Sequence, residues 1–135
     1  MLAIEGLALE TLAAVSRKQI IPEQIPPRWL QQVKELLHAR FLDNLSLAAI
    51  SQAQGVGVHP VHLCREFRRH YSCTVGEYIR RLRIEYACDM MGNPDLSLGE
   101  IASAAGFADQ SHFARVFKRL VGMPPAAFRA NLRGC

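Results

Sequence analysis

The chain is 135 residues long, half of them apolar, with a formal charge of +4. That length suits one compact domain and is too short for two ordinary ones, while the apolar share excludes an intrinsically disordered chain. Four cysteines (Cys64, Cys73, Cys88, Cys135) without a C-x-x-C spacing are expected to be reduced thiols of a cytoplasmic protein.

Strand signals are almost absent, and the abundance of Ala, Leu, Arg, Glu and Gln predicts helices throughout. A first helix is expected from Leu2 to about Val15. Glu5 and Glu10 interrupt its apolar run and no basic segment precedes it, so it reads as neither a signal peptide nor a membrane span. The prolines of residues 20–27 break it. A second helix begins near Arg28, with Trp29, Val33, Leu36, Leu37 and Phe41 along one face. Ser46 and Ser97 precede short apolar segments and can cap them. Thr74-x-x-Glu77 is a capping box that opens a long helix carrying Tyr78, Leu82, Tyr86 and Met90, which Gly92-Asn-Pro94 stops. The stripes Trp29/Val33/Leu36 and Tyr78/Leu82/Tyr86 read as core.

The chain repeats itself. Leu45-Ser-Leu-Ala-Ala-Ile50 recurs as Leu96-Ser-Leu-Gly-Glu-Ile101, and Leu63-Cys-Arg-Glu-Phe-Arg-Arg69 recurs as Phe113-Ala-Arg-Val-Phe-Lys-Arg119. The register changes by one residue in the glycine-containing turn, Gly55-Val-Gly57 against Gly106-Phe-Ala, where insertions are best tolerated. Each copy runs short helix, glycine turn, basic helix, which is the order of a helix-turn-helix. Charge follows the same division: residues 45–83 carry a net +4, residues 84–95 a net −3 and residues 96–135 a net +3. Two basic blocks around an acidic hinge suit a polyanion touched at two places.

In the first copy the basic helix should span Pro60 to Tyr71, with Leu63 and Phe67 packed inward and Val61, Cys64, Arg65 and Arg68 facing out. In the second, from about Gln110, Phe113 and Phe117 are the buried pair. Gln110, Ser111, Ala114, Arg115 and Lys118 are exposed. Side chains on the first turns of such helices reach base edges in the major groove, where arginine pairs with guanine and glutamine with adenine. Arg65 and Arg115 hold equivalent places in the repeat and are the leading base-reading candidates. His62, Arg68, Arg69, His112, Lys118 and Arg119 are candidates for phosphate contact, which positions without specifying. Arg83 and Arg133 read equally well as solvated charges.

His59-x-x-His62 beside Cys64 has metal-like spacing, but structural zinc needs four ligands and no second cluster accompanies it; no metal and no cofactor are expected. No phosphate-binding glycine loop and no nucleophile-base set stand out, so enzymatic activity is not expected. The alternative to DNA binding is a helical protein-interaction module whose basic faces dock an acidic partner.

The segment from Ile101-Ala-Ser-Ala-Ala-Gly-Phe through Ser111-His-Phe and Phe117-Lys-Arg119, followed by Gly122-Met-Pro-Pro-Ala-Ala-Phe-Arg129, resembles the second helix-turn-helix of AraC/XylS-type transcription regulators. Leu47-Ala-Ala-Ile50 and His59-Pro-Val-His-Leu-Cys-Arg-Glu-Phe67 resemble the first, and the likeness covers about residues 28–133. The resemblance implies an all-α fold of about seven helices: two helix-turn-helix subdomains (about 46–71 and 97–121) joined by a long linker helix (about 74–91), here with an additional N-terminal helix. A linker of that length spans about 26 Å, and successive major-groove turns about 34 Å apart then imply some bending of the DNA. The family's base-reading positions fall on Val61, Cys64, Arg65, Gln110, Ser111, Ala114 and Arg115.

Three features depart from the family's pattern. The first turn carries extra residues around Gly55-Val-Gly57. Ser72 stands where the second copy has Gly122, at a point expected to need left-handed backbone. Val61 and Cys64 offer little hydrogen bonding, so the first half-site should be read less strictly. Residues 1–27 are expected to be the end of an effector domain lying outside this sequence, with residues 28–135 the DNA-binding domain. Expected partners are a double-stranded DNA operator and RNA polymerase, usually for activation, with the protein cytoplasmic, at the nucleoid, and away from membranes. The DNA-binding unit should be monomeric, with dimerisation open to a missing domain or to the first helix.

Overall fold

The computed structural model describes residues 25–134; the expected helix over residues 2–15 lies outside them. Among the described residues there are seven helices and no strand: α1 (Arg28–Arg40), α2 (Leu47–Ser51), α3 (Pro60–Tyr71), α4 (Val75–Met90), α5 (Leu98–Ala104), α6 (Gln110–Val121) and α7 (Pro125–Gly134). They fall into two compact units that divide after Ile79, inside α4. Helical units of this size are smaller than ordinary domains, which is how a chain of this length accommodates two.

In the first unit, Pro27 is in extended conformation and α1 starts after it without a side-chain cap. Its buried line is Leu30, Val33 and Leu37, spaced for one helical face. The expected stripe was rotated from this line: Val33 and Leu37 belong to it, whereas Trp29 and Leu36 are half-buried at its edge. Ser46 Oγ accepts from the Ala49 amide (3.0 Å) and opens α2, a single turn that buries Ile50 and Ser51. The Ser51 hydroxyl is satisfied by the Ala48 carbonyl at 2.9 Å. Gly55 (φ 86°) and Gly57 (φ 56°) supply left-handed backbone while Val56 between them is buried. The turn thus reverses the chain and plugs its own base.

Leu63 and Phe67 of α3 are fully buried. Phe67 meets Tyr71 and Tyr78 edge-on, with ring centroids 4.8 and 5.5 Å apart, the geometry that aromatic quadrupoles favour. Tyr78 Oη and His38 Nε2 share a hydrogen bond of 2.6 Å, tying the start of α4 back to α1. Ser72 ends α3 in the left-handed region (φ 62°). The capping box forms as expected: the Glu77 amide donates to Thr74 Oγ1 and the Thr74 amide to Glu77 Oε1, both at 3.1 Å.

The second unit is built around Ile84, Ala87, Cys88, Met91, Ile101, Ala102, Ala105, Phe107, Phe113, Val116 and Phe117. The buried line of α4 here is therefore Ile84, Ala87 and Cys88, continued by Met91 just past its end, and not the stripe expected from sequence, of which Leu82 is buried while Tyr78, Tyr86 and Met90 are half-buried. The physical reason is the division inside α4. Its first turn serves the first unit and the rest serves the second, so no single face is buried along its whole length. Cys88 is pushed up to about 11, chiefly by burial, so its thiol stays protonated at neutral pH.

The Asp95 amide donates to Asn93 Oδ1 (3.0 Å) just beyond α4, and Ser97 Oγ accepts from the Glu100 amide (3.1 Å) to open α5. Gly106 (φ 85°) makes the turn and Gly122 (φ 97°) ends α6. The Arg129 guanidinium on α7 donates to the Asn93 carbonyl at 2.6 Å, and Phe128 packs against Phe117 with centroids 5.4 Å apart.

The repeat extends beyond its recognisable motifs. Val33 and Ile84, Leu37 and Cys88, Gly55 and Gly106 are each fifty-one residues apart, and the four side chains among them are buried. Each unit thus contains a supporting helix (α1 or the later part of α4), a short helix (α2 or α5) and a basic helix (α3 or α6), and the second adds α7.

Candidate nucleic-acid interface

Both basic helices are anchored by aromatic or leucine side chains on one side and leave the cationic side to solvent. On α3, Val61 (58% exposed), His62, Cys64, Arg65, Arg68 and Arg69 all face outward. His59 sets the first turn: its Nδ1 accepts from the Val61 amide at 3.1 Å. Pro60 follows at the first helical position, where its missing N–H costs nothing. This cap was missed in sequence because histidine is not among the usual capping residues. It gives His59 a structural task, and among the described residues no group of three or more metal-ligating side chains occurs.

On α6, Asp109 caps the helix by accepting from the His112 amide at 2.7 Å; an Asp one residue before a helical run was a readable signal. Gln110, Ser111, Arg115, Lys118 and Arg119 are exposed, whereas Ala114 and His112 are half-buried. The His112 ring stands edge-on to Phe107 at 5.5 Å. The Gln110 amide folds back over α5, its Oε1 3.3 Å from where a Cβ on Gly99 would lie.

Arg65 and Arg115 occupy matching places on the two helices, both exposed and without an ion pair among the described residues. Arg69 differs, its Nη1 donating to Glu66 Oε1 at 3.2 Å; at 57% side-chain exposure this link is weak and easily exchanged for a phosphate. Basic residues also crowd the last turns, Arg68, Arg69 and His70 on α3 and Lys118 and Arg119 on α6.

Arg83, read from sequence as a possible solvated charge, is a bracing residue. Its Nη1 donates to the Gly106 carbonyl at 2.8 Å, and desolvation by burial lowers its pKa. A Cβ on Gly106 would sit 3.1 Å from the guanidinium carbon, so glycine is required there both for backbone and for space. Arg83 therefore fixes the turn that leads into α6.

The sequence matches the helix-turn-helix domain family over residues 52–131. It is 40% identical over 102 residues to the probable transcription factor PqrA of Proteus vulgaris, covering 76% of this chain and 84% of that protein. It is 29% identical over 105 residues to the Msm operon regulatory protein of Streptococcus mutans, covering 78% of this chain but 37% of that protein. The fold is similar to the DNA-binding domain of AdpA, a global transcriptional factor solved in complex with a target DNA, with a TM-score of 0.70, 20% identity, and coverage of 80% of this chain and 96% of that one.

Proposed function

Since the chain belongs to the AraC/XylS family of helix-turn-helix transcription regulators, we propose that it binds a specific double-stranded DNA site with α3 and α6 in the major groove and thereby regulates bacterial transcription in the cytoplasm, at the nucleoid. The observation that carries this reading is the paired geometry of Arg65 and Arg115, each exposed on a helix whose opposite side is locked by buried Leu63 and Phe67 or by Phe113 and Phe117. A helix fixed in this way presents its outward side chains without loss of orientation, as base reading requires.

Arg65 and Arg115 are assigned to base edges, where a bidentate arginine selects guanine. Val61, Cys64, Gln110, Ser111 and Ala114 complete the reading set. Val61 and Cys64 suit an apolar contact such as a thymine methyl, while Gln110 must swing away from Gly99 to reach adenine. His62, Arg68, Arg69, His112, Lys118 and Arg119 are assigned to the phosphate backbone. For His112 the reach is short, because its ring is engaged with Phe107. The unit acts as a monomer on two successive half-sites, and its regulatory output runs through contact with RNA polymerase in the direction of activation. Dimerisation, where it occurs, falls to the first helix expected over residues 2–15 or to a further N-terminal domain.

Selection from a randomised duplex pool at physiological salt tests this. The expected result is an asymmetric motif of two blocks about one helical turn apart. Folded protein that enriches no motif would remove sequence-specific binding and favour the docking of an acidic protein partner on the same basic faces.

A further inference from the structure

An open cavity of about 520 Å³ lies in the first unit between the start of α1 and the helix-turn-helix turn, lined by Arg28, Trp29, Gln32, Gln54 and Gly55. The two copies differ in what covers the turn at this place. In the second unit Arg83 covers the turn and donates to the Gly106 carbonyl. Its counterpart in the first unit, fifty-one residues earlier, is Gln32, whose shorter side chain lies against Gly55 at 3.4 Å from a notional Cβ and leaves the space beside it open.

The lining is chemically one-sided. The lining residues carry a guanidinium, an indole and two carboxamides, and none of the five is acidic. The guanidinium carries positive charge and the carboxamide NH2 groups can donate, which suits a phosphate oxygen rather than a cation. Its place is also informative. The Trp29 ring lies against His62, centroids 5.4 Å apart, and His62 stands in the first turn of α3, so the cavity opens beside the end of the recognition helix.

We propose that this groove holds a phosphodiester of the DNA backbone next to the first half-site, with Arg28 and Gln54 as its principal donors. The inference rests on the reading that the chain binds duplex DNA. It gives the first unit an anchoring contact that compensates for the poor hydrogen-bonding capacity of Val61 and Cys64.

The test uses the selected duplex and the variant Arg28→Ala/Gln54→Ala. Both residues are exposed, so the fold should survive, which circular dichroism checks. The expected result is binding roughly three- to tenfold weaker on every duplex sequence, with the salt slope reduced by about one. Trp29 is the chain's one tryptophan, so its emission reports on this groove directly. Acrylamide quenching of Trp29 should fall when duplex is added to the wild type. Wild-type affinity and slope in the variant, or Trp29 quenching indifferent to duplex, would overturn the groove while a loss on Arg65→Ala still upheld DNA binding. A wild type that binds no duplex would overturn both.

Discussion

Ser72 and Gly122 hold the same place in the two copies, and both adopt left-handed backbone, at φ 62° and 97°. For an L-residue that conformation costs about 1–2 kcal/mol, which glycine avoids. Ser72→Gly should therefore raise stability by about 1 kcal/mol, and Gly122→Ala should lower it by a similar amount, although a Cβ at Gly122 meets nothing within 4 Å. Urea titration of both variants checks the pair; equal and opposite shifts in midpoint are expected. Thiol chemistry separates the cysteines in the same way. Cys64 is exposed while Cys73 and Cys88 are buried, so Cys64 should react with a maleimide faster than either, and bound duplex should protect it. Peptide mapping of the alkylated protein reads this out; an equally fast reaction with duplex present would place Cys64 away from the DNA. Ser72 was legible because the repeat set it against Gly122. Arg83 was not, because a basic residue looks the same in sequence whether it is solvated or donates to a carbonyl, and the Gly106 carbonyl that it meets lies 23 residues away.

Three of the helices begin at caps that the sequence shows. Ser46, Thr74 and Ser97 each accept from the amide three residues on, and these local signals were readable because a cap involves only neighbouring residues. Thr74→Ala should cost about 1 kcal/mol by removing one half of the capping box, seen as a lower melting temperature. The faces of the helices were read less well than their ends. For α4 the apolar positions were assigned to one stripe, but the helix lends its first turn to one unit and its remainder to the other, and periodicity assumes one burial partner throughout. For α1, the apolar spacing places Trp29 in the core, whereas it stands half-buried at the rim of an open groove; a large aromatic beside Leu30 gives no sign of which is inside. Arg83→Met should loosen the turn before α6 by about 2 kcal/mol, since a hydrogen bond to a charged group is lost and the carbonyl it served is left half-buried. Hydrogen exchange of residues 102–110 is the direct measurement, with faster exchange expected there than in α1.

As a molecule, the chain is two copies of one design with different contents. Both have a glycine turn, a capped basic helix and an arginine at the matching outward place. The second braces its turn with Arg83, and the first leaves a groove beside Gln32. That contrast predicts stricter reading of the half-site under α6, where Arg115 is joined by Gln110 and Ser111, than of the half-site under α3. The curated relatives other than PqrA are mostly longer, this chain spanning as little as 25% and as much as 50% of them. Binding itself should weaken steeply with salt, as neutralised phosphates release counterions. On the proposed reading, each recognition helix reads its own block of sequence. The most direct measurement is the affinity of wild type, Arg65→Ala and Arg115→Ala for the selected duplex and for versions with either block changed at guanine. Each variant should lose about 1–3 kcal/mol on the selected duplex and become indifferent to changes in one block only, a different block for each. Equal loss on every duplex by both variants would contradict it, reducing both arginines to contacts with the backbone.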